Sequence, residues 1–329
     1  MARKQLTIIE AINEALDQEL GRDERVFILG EDIGLSGGVF KVTAGLLDKY
    51  GEDRVLDTPL AEGIIIASAI GCAMMGMRPI PEIQFSDFIT PAMDQLIQQA
   101  AKLHYRSAGG FSCAFTTRIC CGGGGGTGLY HSQENAAWFV HEPGIKVVMP
   151  STPYDAKGLL LASIRDSSPV LFFEHKRLYR SIKGEVPEGD YTVPIGKAAI
   201  RREGSDLTII SYGFMVTVAL EAAEAMSKRG VEAEVIDLRT LSPLDKETIL
   251  ESVRKTNKVL IVHEDKKTMG IGAELAAIIT EEAFDHLDGP VMRVTGPDIP
   301  SMPFSPNLEK YFLVNPEKVV AAIEQLAAY

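Results

Sequence analysis

The chain has 329 residues, 46% of them hydrophobic, and 45 acidic side chains against 33 basic ones give a formal net charge of −12. That length and composition suit a globular protein of two domains with separate cores, and the acidic balance argues against nucleic acid or an anionic membrane as the main partner. No apolar run approaches the roughly 20 residues that span a bilayer. Glu10 and Glu14 interrupt any leader-like segment, and four cysteines do not make a disulfide scaffold in a chain this long, so a cytoplasmic location is expected.

Helical and strand patterns alternate along the chain. Thr7 and Glu10 have capping-box spacing, and Ile9, Ile12, Leu16 and Leu20 then form one helical face. "RVFILGED" reads as a buried strand ending in a tight turn, and "AEGIIIASAIGCAMMG" as a helix whose small residues permit close packing. "RPIPEIQF" is a strand, 94–105 a helix, and "SCAFTTR" a strand entering the glycine run 122–126. "IKVVMPS", "DAKGLLLASIRDS" and "PVLFFEH" make a βαβ unit. From 183 to 204 the chain is polar and broken, the pattern of an interdomain linker with room for short edge strands. A second alternation follows: "LTIISYG", a helix over 216–229, "AEVIDL", a helix after Asp245, "KVLIVHE", "GAELAAIITEEAF", "VMRVTG" and a last helix from Pro316. These patterns predict an α/β protein with domains at 1–182 and 205–329, each on a largely parallel sheet.

The glycine run invites three readings. Gly123, Gly125 and Gly128 satisfy G-x-G-x-x-G, but a run of five glycines meets that pattern by accident. The dinucleotide fingerprint also needs an acid about 20 residues on that closes a second strand, and Glu142 precedes the next strand instead. No Gly-Lys-Ser/Thr follows, which removes a phosphate loop, and the flanking apolar segments argue against a floppy linker. A close-packed loop presenting "YHSQ" is left. His131 has the imidazole for proton transfer near neutrality, although a lone histidine more often serves structure. Glu62, before "GIIIASAIG", reads either as a helix-start carboxylate on free amides or as a carboxyl directed at a polar ligand atom. The adjacent Cys120 and Cys121 lack zinc-knuckle spacing and read as apolar filler.

Many linked segments together resemble one family. "FILGEDIG", "GGVFKVTAGL", "VLDTPLAEGIIIASAIG", "GMRPIPEIQFSDF" and "YHSQ", then "GIKVVMPSTPYDAKGLL", "VLFFEHKRLYR", "VIDLRTLSPLD" and "GPDIPSMPF", are similar to the β subunits of 2-oxoacid dehydrogenase decarboxylating components. "DTPLAE", "QFSDFI", "YHSQ" and "FFEHKRLYR" look most like the branched-chain enzymes, with pyruvate and acetoin relatives close. The resemblance implies a transketolase-like fold, a pyrimidine-binding domain followed by a smaller transketolase C-terminal domain. It implies thiamine diphosphate held between this chain and an α subunit in an α2β2 assembly, which acylates a lipoyl acyltransferase core. Magnesium would be held mainly by the α subunit, since the Gly-Asp-Gly that opens the pyrophosphate–magnesium motif occurs nowhere here.

Residue by residue, Glu62 matches the glutamate facing the aminopyrimidine ring nitrogen, Phe88 the aromatic beside that ring, and Glu31 an acid thought to help proton transfer between paired sites. His131 matches the histidine near the thiazolium that serves acyl transfer to a lipoyl thiol. Some relatives bind potassium through positions that correspond to Cys113, Phe115, Thr116, Ser163, Asp166 and Ser168. The chain departs from the branched-chain pattern in its loop, where Cys120 and Cys121 replace a proline and an aromatic, Gly126 a histidine and Thr127 a glycine. That departure is the argument for a competing function, a structural assembly subunit with impaired catalysis. The remaining alternative keeps the chemistry and changes the substrate to pyruvate or an acetoin-type molecule.

Overall fold

A computed structural model describes residues 3–329, and the chain divides into two units. The first runs to Cys121 and resumes over Trp138–Ile195; the second comprises Gly122–Ala137 and Gly196–Tyr329.

In the first unit the expected capping box forms. Thr7 Oγ1 accepts from the Glu10 N–H at 3.3 Å while Glu10 Oε2 accepts from the Thr7 N–H at 2.7 Å, and helix Ile8–Arg22 buries Ile12, Leu16 and Leu20. The strands lie in the order Lys146–Val148, Val170–His175, Thr116–Cys121, Arg78–Ile83, Val26–Gly30, Val55–Asp57, and all these neighbours are parallel. Val26–Gly30, Thr116–Cys121 and Val170–His175 are buried along their whole length, as a parallel sheet covered on both faces requires. Phe172 is fully buried there, and Phe172→Ala would cost about 3–5 kcal/mol. Lys183–Pro187, inside the polar stretch, pairs antiparallel with Arg3–Thr7.

The second unit repeats the plan. Met292–Gly296, Val259–Lys266, Leu207–Ser211 and Ala233–Asp237 run parallel in that order, and Ala199–Arg202 adds an antiparallel edge. Asp245 caps helix Lys246–Thr256 by accepting from the Thr248 N–H, and Asn257 ends it at φ 63°, a left-handed position that asparagine tolerates. Pro316 opens the last helix, Pro316–Ala327, behind an Asn315 cap. The segment Gly122–Ala137, which carries His131, packs with this unit although the strand before it belongs to the first.

Candidate active site

Open parallel sheets bind ligands at the carboxyl ends of their strands. Glu31 lies one residue past the strand Val26–Gly30, and Glu62 opens helix Glu62–Met74. Both are 7% exposed. Burial pushes the Glu31 carboxyl above its ordinary value, and the charges of Glu62, Asp32 and Glu82 add to the shift, so these carboxyls share one neighbourhood. Glu31 Oε1 is buried without a hydrogen-bond partner. The Glu62 side chain takes no hydrogen bond or ion pair among the described residues, and no side chain caps its helix. A buried acceptor without a donor needs a ligand atom or a proton.

Phe88 is half-buried in an aromatic group: it meets Phe85 edge-on at 6.1 Å, Phe85 meets Phe40 at 5.7 Å, and Phe40 meets Tyr179 at 5.2 Å. Beneath lies a charge network that the sequence reading missed. Arg118, 2% exposed, grips Glu174 with two bonds of 2.7 Å and also pairs with Glu82, while the Tyr179 hydroxyl donates to Glu174 at 2.6 Å. Burial raises the Tyr179 hydroxyl well above its usual range. Losing Arg118 would strand buried carboxylates at a cost of about 3–5 kcal/mol. The signal was present in "RICC", "PEIQF" and "FFEH", each with one charge inside an apolar strand.

In the second unit, His131 is half-buried on a loop tied to itself and to its neighbours. The Thr127 hydroxyl donates to the His131 carbonyl at 3.0 Å and lies 2.8 Å from the Ser132 hydroxyl. Glu134, three residues on, is buried and accepts from the Tyr212 hydroxyl and the Ala136 N–H, both at 2.9 Å. A cavity of about 20 Å³, room for one water, is lined in part by Ser132, Glu134, Glu264, Asp265 and Met302. Cys120 and Cys121, in the first unit, are buried and help to fill the core.

Three of the residues matched to a potassium site, Phe115, Ser163 and Asp166, already have protein partners around the turn into strand Val170–His175. The Val170 N–H already donates to the Phe115 carbonyl at 3.0 Å and the Asp166 N–H to the Ser163 carbonyl at 3.1 Å. Asp166 Oδ2 pairs with Lys146 at 2.6 Å, and Oδ1 accepts from the Ser168 N–H at 2.8 Å. Arg78 sits on the carbonyls of Ile164 and Asp166 at 2.7 and 2.9 Å. Two fixed protein cations thus occupy the region around its one carboxylate. Cys113 is buried, with its thiol pushed up to about 12 by burial.

Residues 4–182 match the model of the transketolase pyrimidine binding domain, and residues 196–319 that of the transketolase C-terminal domain. Fold and site therefore define a two-domain, transketolase-type chain. A solved structure described as a split-gene transketolase, an inactive β4 tetramer, superposes with a TM-score of 0.80 over 99% of both chains at 22% identity, a likeness of fold alone. The 2-oxoisovalerate dehydrogenase subunit beta of Bacillus subtilis (strain 168) is 58% identical over 324 residues, covering 98% of this chain and 99% of the relative. The pyruvate dehydrogenase E1 component subunit beta of the same organism is 47% identical over 325 residues, covering 99% of each. The chain belongs to the family of 2-oxoacid dehydrogenase β subunits.

Proposed function

We propose that this chain, with an α subunit, decarboxylates a branched-chain 2-oxoacid and passes the acyl group to the lipoyl group of an acyltransferase. Glu62 carries the reading. A buried residue whose carboxyl opens a helix, near the raised carboxyl of Glu31 and without a protein hydrogen bond among the described residues, suits the ring nitrogen of an aminopyrimidine.

Thiamine diphosphate, when bound, supplies the carbanion chemistry that decarboxylation needs. The residues of this chain hold and prepare it. Glu62 would share a proton with the ring nitrogen, Phe88 would offer an aromatic edge beside the pyrimidine, and Glu31, its carboxyl raised by burial and by its acidic neighbours, would stand beside them. His131 would serve as the proton-transfer group for acylation of the lipoyl thiol. The pyrophosphate and magnesium fall to the α subunit, because Gly-Asp-Gly is absent from this sequence. The higher identity to the 2-oxoisovalerate relative supports a branched-chain substrate over pyruvate. The altered loop does not favour an impaired subunit, since Thr127 secures the His131 carbonyl and both cysteines fit the core.

The test is turnover of branched-chain 2-oxoacids, pyruvate and acetoin by the chain alone and after co-purification with its α partner. We expect no decarboxylation and weak cofactor binding by the chain alone, and a branched-chain preference in the assembly. Tight, magnesium-dependent cofactor binding by the isolated chain would contradict the shared site, and a preference for pyruvate would change the substrate.

A further inference from the structure

Every second residue of the glycine loop is left-handed: Gly122 at φ 87°, Gly124 at 90°, Gly126 at 67° and Gly128 at 69°. Alternation of this kind turns successive N–H groups toward one side and forms a concavity that binds anions. Here the chain supplies its own anions. The N–H groups of Gly124 and Gly126 both donate to Glu309 Oε1, at 3.2 and 3.0 Å, and the Gly123 N–H donates to Glu264 Oε1 at 2.6 Å. Glu309 is 9% exposed and Glu264 4%. Side chains here would crowd their neighbours. A Cβ at Gly123 would fall 2.2 Å from Met302 Cε, and one at Gly128 would fall 2.1 Å from the Phe304 ring. The anions that this concavity holds, Glu264 and Glu309, are covalently part of the protein.

We infer that Glu309 and Glu264 are positioning residues for His131: their carboxylates clamp the glycine run and so hold the histidine-bearing loop in one place for acyl transfer. The chain of contact is short. The clamped amides lead directly into Thr127, whose hydroxyl holds the His131 carbonyl. Five glycines lose more backbone freedom on ordering than any other residues, and bonds from amides to a charged acceptor are the stronger kind that can offset this loss. The inference rests on the proposed role of His131, whereas the clamp itself stands on the geometry.

The experiment uses the assembled α–β enzyme carrying Glu309→Ala, Glu309→Gln or Glu264→Gln. Amide hydrogen exchange over the segment 122–131 is read first, because it does not depend on turnover. In Glu309→Ala that segment should exchange about tenfold faster or more, and Glu309→Gln, which keeps an acceptor oxygen, should lie between it and wild type. Acylation of a lipoyl domain should fall about tenfold in Glu309→Ala and recover in Glu309→Gln, while decarboxylation read with an artificial oxidant changes by less than about threefold. Unchanged exchange in Glu309→Ala overturns the clamp. Faster exchange with both half-reactions falling together overturns the positioning role. A wild-type assembly that turns over no 2-oxoacid would instead sink the functional reading and leave the clamp to be judged on exchange.

Discussion

Glu134 lies three residues beyond His131, and its carboxyl is pushed up to about 8, first by burial and then by the charge of Asp265. The bonds from the Ala136 N–H and the Tyr212 hydroxyl oppose that shift without overcoming it. Glu264 faces it too, and Lys266 lines the adjoining cavity. At neutral pH the native protein therefore keeps a proton that the unfolded chain, with the ordinary value of 4.5, has released. A raised native value contributes stability that is full below about 4.5 and lost as pH rises through about 8. Integrated from about pH 5 to about pH 8.5, the loss is about 4 kcal/mol for a single independent site. Asp265, itself raised by burial, shares the proton load and brings the expectation to about 2–4 kcal/mol. Glu134→Gln places a neutral amide of the same shape there and removes this slope. His263, pushed down to about 4 by burial, acts with the opposite sign, losing its contribution as pH falls from 6.5 toward 4. It is common to both proteins and cancels in their difference. Urea unfolding of the two chains across that pH range is the assay. The stability of Glu134→Gln relative to wild type should climb by about 2–4 kcal/mol as pH rises. Parallel curves would refute the reasoning and make Glu134 an ordinary ionised carboxylate.

Further expectations concern the chemistry and its surroundings. Glu62→Gln keeps hydrogen-bonding capacity but loses the acid–base group, so proton exchange at the thiazolium carbon should fall by about 10²–10⁴ in an assembly that still forms; wild-type exchange rates would return Glu62 to the role of a helix-start carboxylate. His131→Ala should bind cofactor and decarboxylate with an artificial oxidant while lipoyl acylation falls by about 10²–10⁴, and equal losses in both half-reactions would make the histidine a scaffold residue. Exchanging potassium for sodium should move the melting temperature by less than about 2 °C, because Lys146 already pairs with Asp166; a larger potassium-specific shift would mean that the ion displaces this ammonium. Docking of the acyltransferase through acids of the second unit, such as Glu281 and Glu282, should weaken with ionic strength, and affinity that is flat across a salt series would remove the electrostatic part, Glu282 being already paired with Lys246 at 3.2 Å.

Much of the fold was legible from local pattern. The apolar runs at Val26, Val170, Leu207 and Val259 became buried parallel strands, and Thr7 and Asp245 became helix caps, because periodicity and capping act over a few residues. Glu62 and His131 were legible as candidates because a carboxylate before an apolar helix and an imidazole after five glycines are odd where they stand. Tertiary structure alone decided what surrounds them. Arg118 meets Glu82 and Glu174 across three strands, 36 and 56 positions away, and Glu134 meets Tyr212 across 78. The glycine run finds its carboxylates 141 to 185 positions downstream, in "VHED" and "PNLEKYF", which carry no local mark of that task. A hydrogen bond depends on distance and direction in space, and neither follows from the spacing of residues along a chain until the sheets have packed. The sequence by itself determined that a glycine loop would present a histidine; only the folded second unit decided that two glutamates would hold that loop.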